Sequence, residues 1–122
     1  MAGEIKMTKT IRLTKGVLKH DFIPAPLSLT MTGTLIYDVT SSIATTEETL
    51  GPTFGDIGTE GWVCLYNMDT TNFVSVGFAT GVYGIKLYGA GAPADFFIIP
   101  GATIYIKADT AACSVRCIVY EF

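Results

Sequence analysis

Charged side chains are scarce in this chain, because Asp, Glu, Lys and Arg make up only 16% of its 122 residues, against about 25% in typical soluble domains. Histidine occurs once, as His20, with Asp21 beside it. No glycine-flanked serine accompanies this pair, although a hydrolase triad would need such a nucleophile. The sequence therefore predicts no catalytic residues, and we expect a protein that is not an enzyme.

Cysteine and long apolar runs are also in short supply. The cysteines are Cys64, Cys113 and Cys117, an odd number that does not indicate a disulfide framework. Their spacing differs from the Cys-x-x-Cys of a zinc knuckle. No apolar run approaches the ~20 residues of a membrane span or the length of a signal peptide. We expect no metal, no cofactor and no membrane association, and synthesis in the cytoplasm.

Alternation of apolar and polar residues is the strongest pattern that is present. It runs through residues 5–14 and again through residues 27–40. A period of two is typical of a β-strand with one dry face and one wet face. Strands are predicted near residues 4–14, 27–40, 61–68, 72–78, 83–88, 95–99, 103–108 and 113–121, with shorter pairing stretches near 17–22 and 42–46.

Glycine, proline and short polar residues mark the connections between these strands. Residues 49–61 are predicted to be a loop. Residues 69–72 are predicted to be a tight turn, since Asp and Asn side chains close turns on their own backbone. The runs 62–66 and 96–99 are apolar on both faces, which is typical of central strands or of strands at a subunit contact.

Eight or so short strands separated by turn signals predict an all-β fold. The expected architecture is an antiparallel β-sandwich, and both jelly-roll and immunoglobulin-like topologies fit the pattern. We expect one β-sandwich domain over residues 1–122. Its body would span residues 27–122, and residues 1–22 would form an extended N-terminal arm or an edge strand.

Basic residues are concentrated near the N-terminus. Residues 1–20 contain five basic side chains and one acid, whereas the remaining residues contain three basic side chains and ten acids. This segment is either an arm that docks on an acidic surface, a neighbouring copy included, or an edge strand whose lysines discourage stray pairing. The acidic remainder would repel phosphate, so nucleic acid is not an expected partner. The candidate partner-binding residues are Lys6, Lys9, Arg12, Lys15 and Lys19.

The low charge content also bears on assembly, because apolar surface that is not solvated by charge is usually covered by other subunits. We therefore expect a homo-oligomer. An alternative use for exposed aromatic residues is a stacking platform for sugar, as in a carbohydrate-binding module. Its candidate residues are Trp62, Tyr66, Tyr83, Tyr88, Tyr105 and Tyr120.

The second half of the chain contains a succession of short motifs. A strand ending in Asn67-Met68-Asp69 leads through a Thr71-Asn72 turn into Val74-Ser75-Val76-Gly77. Before it come the segments 47–50 and 58–63, and after it come Ile85-Lys86-Leu87, Phe97-Ile98-Ile99-Pro100 and Ile104-Tyr105-Ile106-Lys107-Ala108. This succession, over residues 47–122, resembles small virion structural proteins of tailed bacteriophages.

The resemblance implies a β-sandwich subunit located in the virion, on the capsid exterior. Such a subunit would be a decoration or cement protein that stabilises the head. Its implied partners are its own copies, in a trimer, and the major capsid protein. A tail, connector or head-fibre component is the alternative within the same class. The motifs are strand and turn residues, so the resemblance implies no site residue.

Overall fold

The computed structural model describes residues 4–51, 53–89 and 91–122, and all of the regular structure in these ranges is β-strand. None of the described residues belongs to a helix long and apolar enough to cross a membrane. The chain divides into two compact units, and the boundary falls between Thr32 and Gly33. We call residues 4–32 the N-terminal unit and the described residues of 33–122 the body.

The N-terminal unit consists of two short antiparallel ladders. In one, β1 (Ile5–Met7) pairs with β4 (Leu27–Leu29). In the other, β2 (Ile11–Lys15) pairs with β3 (Leu18–Phe22). Gly16 opens the two-residue loop between β2 and β3 with a φ of +59°, which suits the first position of a tight hairpin loop.

The body contains eight strands in two four-stranded antiparallel sheets. The first sheet has the order β10-β7-β12-β5, and the second has the order β6-β11-β8-β9. The strands are β5 (Ile36–Ile43), β6 (Glu48–Leu50), β7 (Glu60–Asn67), β8 (Val74–Gly77), β9 (Ile85–Leu87), β10 (Pro93–Phe97), β11 (Ile104–Ala108) and β12 (Cys113–Glu121).

The strand order distinguishes the two topologies that the sequence left open. Each strand in the first half of the body pairs with its counterpart in the second half: β5 with β12, β6 with β11, β7 with β10 and β8 with β9. A nested series of antiparallel pairs folded into two four-stranded sheets is the jelly roll. The predicted all-β sandwich is thus confirmed, and its topology is the jelly roll rather than the immunoglobulin fold.

The core lies between the two sheets and follows the alternation read from the sequence. On β12, Cys113, Val115, Cys117 and Val119 are buried, whereas Ser114 and Arg116 are exposed. The loop after β6 adds Phe54, which is 2% exposed and packs edge-on against Tyr37 with ring centroids 5.5 Å apart. The remaining buried members of the core are Ile43, Ile57, Val63, Leu65, Val74, Val76, Leu87, Ile104, Ile106 and Ala108.

Several predicted boundaries were wrong at the level of single strands. The predicted strand over residues 4–14 is two strands, β1 and β2. The predicted strand over residues 27–40 is also two, because β4 pairs with β1 in the N-terminal unit whereas β5 pairs with β12 in the body. Alternation reports which face is dry, but it does not report which strand is the partner.

Two further strands depart from the predicted boundaries. Strand β6 begins at Glu48 and runs into the predicted loop 49–61, although Pro52 lies outside the described residues. Strand β10 begins at Pro93, a residue that tolerates the first position of a strand because its missing N–H is not needed there. The short stretch predicted near 17–22 is confirmed as β3.

Candidate interaction surfaces

The hairpin of β2 and β3 separates apolar from polar side chains. Residues opposite each other in an antiparallel pair share one face, so Ile11 with Phe22 and Leu13 with His20 lie on the same side. The apolar members of this face range from 45% exposed for Leu13 to 54% for Leu18. We call Ile11, Leu13, Leu18 and Phe22 the hairpin face. Burying it would be favourable by roughly 25 cal/mol per Å² of apolar surface, so it is a candidate contact surface.

The opposite side of the hairpin is polar. Arg12 faces Asp21 across the ladder, and their nearest N and O atoms are 3.7 Å apart. Both side chains are more than half exposed, so this ion pair adds little to stability. Thr14 and Lys19 form the next pair on the same side. The polar side is therefore stable in contact with water, whereas the hairpin face would be stabilised by burial against another apolar surface.

The five predicted partner-binding residues all lie in the N-terminal unit, but they do not share one face. Arg12 and Lys19 are brought together on the polar side of the hairpin. Lys15 lies on the other side, opposite Leu18 at the end of the hairpin face. Lys6 faces Ser28 in the β1–β4 ladder, and Lys9 lies between β1 and β2.

The pair considered for acid–base chemistry is not brought together. His20 and Asp21 are consecutive residues of β3, and consecutive strand side chains point to opposite faces. His20 accordingly faces Leu13, while Asp21 faces Arg12. Over the described ranges, no three His, Cys, Asp or Glu side chains are grouped so that they could hold a metal ion.

A row of large apolar side chains crosses the outer face of the first sheet. The register places Phe97 beside Trp62, Trp62 beside Tyr120, and Tyr120 beside Ile36. Trp62 and Tyr120 have ring centroids 4.8 Å apart, and Phe97 and Ile36 at the two ends are 53% and 63% exposed. We call Phe97, Trp62, Tyr120 and Ile36 the aromatic row, and it is the second candidate contact surface.

Trp62 has a further property that limits what this row can bind. Its Nε1 atom is buried, and it has no hydrogen-bond partner among the described residues. The indole ring therefore offers an apolar surface to a ligand, but not its N–H group. A surface of this kind suits packing against apolar side chains better than the stacking and hydrogen bonding that sugars require.

The adjacent row of the first sheet has an acidic residue at each end. It consists of Asp95, Cys64, Ile118 and Asp38 in register order. Asp38 accepts two hydrogen bonds from Arg116, at 2.8 Å from Nε and 2.6 Å from a terminal nitrogen. These bonds lower the pKa of Asp38 and raise that of Arg116, so both remain charged at neutral pH.

The outer face of the second sheet carries cations and rings. Lys107, Ser75 and Lys86 lie side by side across β11, β8 and β9. The ammonium nitrogen of Lys86 lies 4.1 Å from the ring centroid of Phe73 and 4.7 Å from that of Tyr88. These distances are within the range of cation–π attraction.

Glu47 anchors the loop beside this face. Its carboxylate accepts hydrogen bonds from the Thr80 hydroxyl, from the Gly81 N–H at 2.8 Å and from the Tyr83 hydroxyl at 2.5 Å. These bonds lower the pKa of Glu47 and raise that of Tyr83. The carboxylate is thus committed to holding a loop, which is a structural role.

The six aromatic residues considered for a sugar platform are divided between the two sheets. Trp62, Tyr66 and Tyr120 alternate with buried residues on β7 and β12, so they lie on the outside of the first sheet. Tyr83, Tyr88 and Tyr105 belong to the second sheet and its loops. The six residues therefore do not form one platform.

In the described part of the chain, none of the three cysteines forms a disulfide bond. Cys113 and Cys117 are buried on the core side of β12, and burial raises the pKa of both, to about 12 for Cys117. A thiol with a raised pKa is a poor nucleophile at neutral pH. Both side chains therefore act as small apolar groups in the core.

Of the two contact surfaces, only the hairpin face has a signal in the sequence. Gly16 followed by Val17 between two alternating segments is typical of a hairpin, and it separates β2 from β3. The aromatic row has no signal in any single strand, because its four members come from four strands whose order is known only from the fold.

Comparisons with known proteins assign no family. No family model matches the chain, and no curated protein matches it. Among solved structures, similarity is found to a chain from Bacillus endospore appendages, which are described as a novel family of disulfide-linked pili. The identity is 18%, the match covers 79% of this chain and 97% of that chain, and the TM-score is 0.41. Likeness at this level identifies neither a family nor a role.

Proposed function

We propose that the protein is a non-enzymatic structural subunit of a tailed-phage virion that decorates the exterior of the capsid as a homo-oligomer. The observation that carries this proposal is the exposed hairpin face on a basic N-terminal unit attached to an acidic body. Jelly rolls serve viral capsid domains and lectins alike, so the fold alone does not decide the role. The phage assignment rests on the motifs of residues 47–122.

The two units have opposite charge. Residues 1–32 carry five basic and two acidic side chains, and residues 33–122 carry three basic and nine acidic side chains. A basic unit with an unburied apolar face is suited to docking on an acidic surface. On a capsid, many copies would bind at once, so modest individual contacts would add through effective concentration.

The mass of the assembly in solution and the position of the protein on the phage particle test the proposal. In solution the assembly should exceed the 13.0 kDa of one chain, with three chains as the expected number, and purified protein should bind expanded phage heads. Immunogold electron microscopy would distinguish the capsid from the tail, the connector and a head fibre. A monomer without affinity for heads would contradict the proposal.

The basic residues provide a sharper test with the full chain. Replacing Lys6, Lys9, Arg12, Lys15 and Lys19 by Gln should weaken binding to heads at low salt and flatten its salt dependence, because exposed charges are screened over about 10 Å at 0.1 M salt. Lys86→Gln and Lys107→Gln on the second sheet form the control pair. Losses in the ratio of the charges removed, five against two, would indicate that only net charge matters.

A sugar-binding role is the second candidate, and the contact between Lys86 and the Tyr88 ring favours it. Tyr88 is 64% exposed beside Lys86, which places an aromatic ring and a hydrogen-bond donor together on the second sheet. A glycan array probed with the wild type and with Tyr88→Ala decides this point. Binding that Tyr88→Ala abolishes would support it, and an array without hits would exclude it for the glycans tested.

A further inference from the structure

We infer that the aromatic row on the first sheet is the docking site for the hairpin face of a second copy of this chain. The inference rests on the homo-oligomer of the proposed function, and it names the surfaces that meet. It concerns one contact between copies, so it stands or falls separately from the location of the protein in a virion.

Both surfaces are apolar and carry exposed side chains. The hairpin face is apolar along one side of a two-stranded ribbon, and an isolated two-stranded ribbon is at best marginally stable in water. The aromatic row extends across all four strands of the first sheet, with exposed apolar side chains at both ends. Packing one on the other would remove both apolar surfaces from water, and it would support the ribbon.

Charge favours the same pairing over its alternatives. The aromatic row belongs to the acidic body, which carries nine acidic and three basic side chains, whereas the hairpin face belongs to the basic unit and has Lys15 at its end. Two first sheets placed face to face would bring acidic bodies together, and two hairpins placed face to face would bring basic units together. Contact between a hairpin and a row joins opposite signs, which lowers the free energy of the complex.

Trp62 makes the contact directly measurable, because it is the only tryptophan in the chain. Covering the aromatic row should move its fluorescence emission to shorter wavelength as the protein concentration rises, in step with the mass measured by light scattering. Ile36→Asp and Phe97→Asp should raise the concentration needed for assembly by about tenfold or more, as expected when a large apolar contact side chain is replaced by a charge.

Val82→Asp is the matched control. Val82 is 62% exposed, close to the 63% of Ile36, and it lies in the body outside the aromatic row. This variant should assemble like the wild type. If Val82→Asp weakens assembly as much as Ile36→Asp does, the effect is one of added charge and the inference is wrong.

A mixing experiment separates the possible arrangements. One component is Leu13→Asp, with an impaired hairpin and an intact row. The other is Ile36→Asp combined with Trp62→Phe, with an impaired row, an intact hairpin and no tryptophan. Each component alone should stay small, and mixing should shift the emission of Trp62 in the first component, because its row now receives the hairpin of the second.

Four results would overturn the inference. A blue-shifted emission that does not depend on concentration, in a protein with the mass of one chain, would place the hairpin on the row of its own copy. Assembly that Leu13→Asp breaks but Ile36→Asp does not would indicate contact between hairpins. Assembly that Ile36→Asp breaks but Leu13→Asp does not would indicate contact between rows. Mixed components that fail to shift the emission would exclude contact between a hairpin and a row. In each case, binding to phage heads could persist, so the proposed function would be judged separately.

Discussion

At the scale of single residues, Asn67 holds together one end of the jelly roll. Its side chain is fully buried at the end of β7. The amide nitrogen donates to the carbonyl oxygens of Asn72 at 3.0 Å, Leu87 at 3.1 Å and Tyr88 at 3.3 Å. The amide oxygen accepts from the N–H of Asp69 at 3.0 Å. One side chain thereby fixes the exit of β7, the turn at 69–72 and the exit of β9.

Replacing Asn67 by Leu should lower the free energy of unfolding by about 2–4 kcal/mol, because several backbone groups lose their partner inside the protein. Asn67→Asp should be at least as damaging, since a carboxylate cannot donate to three carbonyl oxygens. Urea unfolding measures both variants, with the exposed Thr49→Ala as the control. A loss no larger than that of the control would show that water replaces these bonds.

The predicted turn over residues 69–72 is confirmed, because its chemistry is local. Asp69 accepts hydrogen bonds from the N–H groups of Thr71 and Asn72 at 3.0 and 2.6 Å, and they lower its pKa. The role of Asn67 was not predictable in the same way. Two of its partners are 20 and 21 residues away in the chain. No spacing of residues in the sequence indicates such a contact.

At the scale of strands, the alternating pattern predicted which side chains face the core better than it predicted where each strand begins and ends. The apolar run 62–66 was expected to be central or at a contact, and β7 does lie between β10 and β12. The run 96–99 instead contributes only its first two residues to β10, which is an edge strand. Apolar content on both faces therefore occurs in a central strand and in an edge strand, and each run contributes one side chain to the aromatic row.

The close approach of β8 to the following loop makes one glycine essential. A Cβ atom on Gly77 would overlap the carbonyl oxygen of Val82, and it would lie 2.9 Å from the Val82 carbonyl carbon and 3.0 Å from the Tyr83 Cα. These are backbone atoms, so no side-chain rotation relieves the contact. The strand and the loop must move apart to accommodate any other residue.

Gly77→Ala should therefore cost about 3 kcal/mol of stability or prevent folding, as severe overpacking does. Gly84→Ala is the matched control, since a Cβ atom there would have no neighbour within 4 Å and the φ of Gly84 is not positive. The control should change stability by about 0.5 kcal/mol or less. Thermal unfolding of both proteins measures the difference, and similar melting temperatures would refute the argument.

At the scale of the whole molecule, exposed carboxylates fasten segments that are distant in the chain. Asp38 on β5 binds Arg116 on β12, and Glu47 holds the loop at 80–83. Glu121 accepts the N–H of Gly58 at 2.8 Å and that of Thr34 at 3.0 Å. Hydrogen bonds accepted by the Asp38, Glu47 and Glu121 carboxylates lower the pKa of each.

The lowered pKa values predict acid sensitivity. The unfolded carboxyls have ordinary pKa values of 3.8 for Asp and 4.5 for Glu, above those in the folded protein. At pH values between the folded and the unfolded pKa, the unfolded state consequently binds more protons than the folded state. The free energy of unfolding therefore falls as the pH drops through this range. Urea midpoints measured from pH 6 down to pH 3 should decline, and Glu47→Gln should show a shallower decline. An identical pH profile for Glu47→Gln would contradict this origin.

The all-β class and the sandwich were predictable because local patterns report strands and faces. The jelly-roll order was not, because the pairing of β5 with β12 joins residues 36–43 to residues 113–120. Such pairings are decided by the fit of the assembled core rather than by any local signal. The aromatic row follows from this order, so it became visible only with the fold, whereas the hairpin face had a local signal in the sequence.

Strand β12 lies inside the first sheet, between β7 and β5, although it is the last strand along the chain. During synthesis, β5 and β7 must wait for residues 113–121 to leave the ribosome before either gains this neighbour. Folding is therefore expected to be late and slow, as for other proteins dominated by long-range pairing. In the interval, two unpaired strand edges are open to chaperones and to mispairing with other nascent chains.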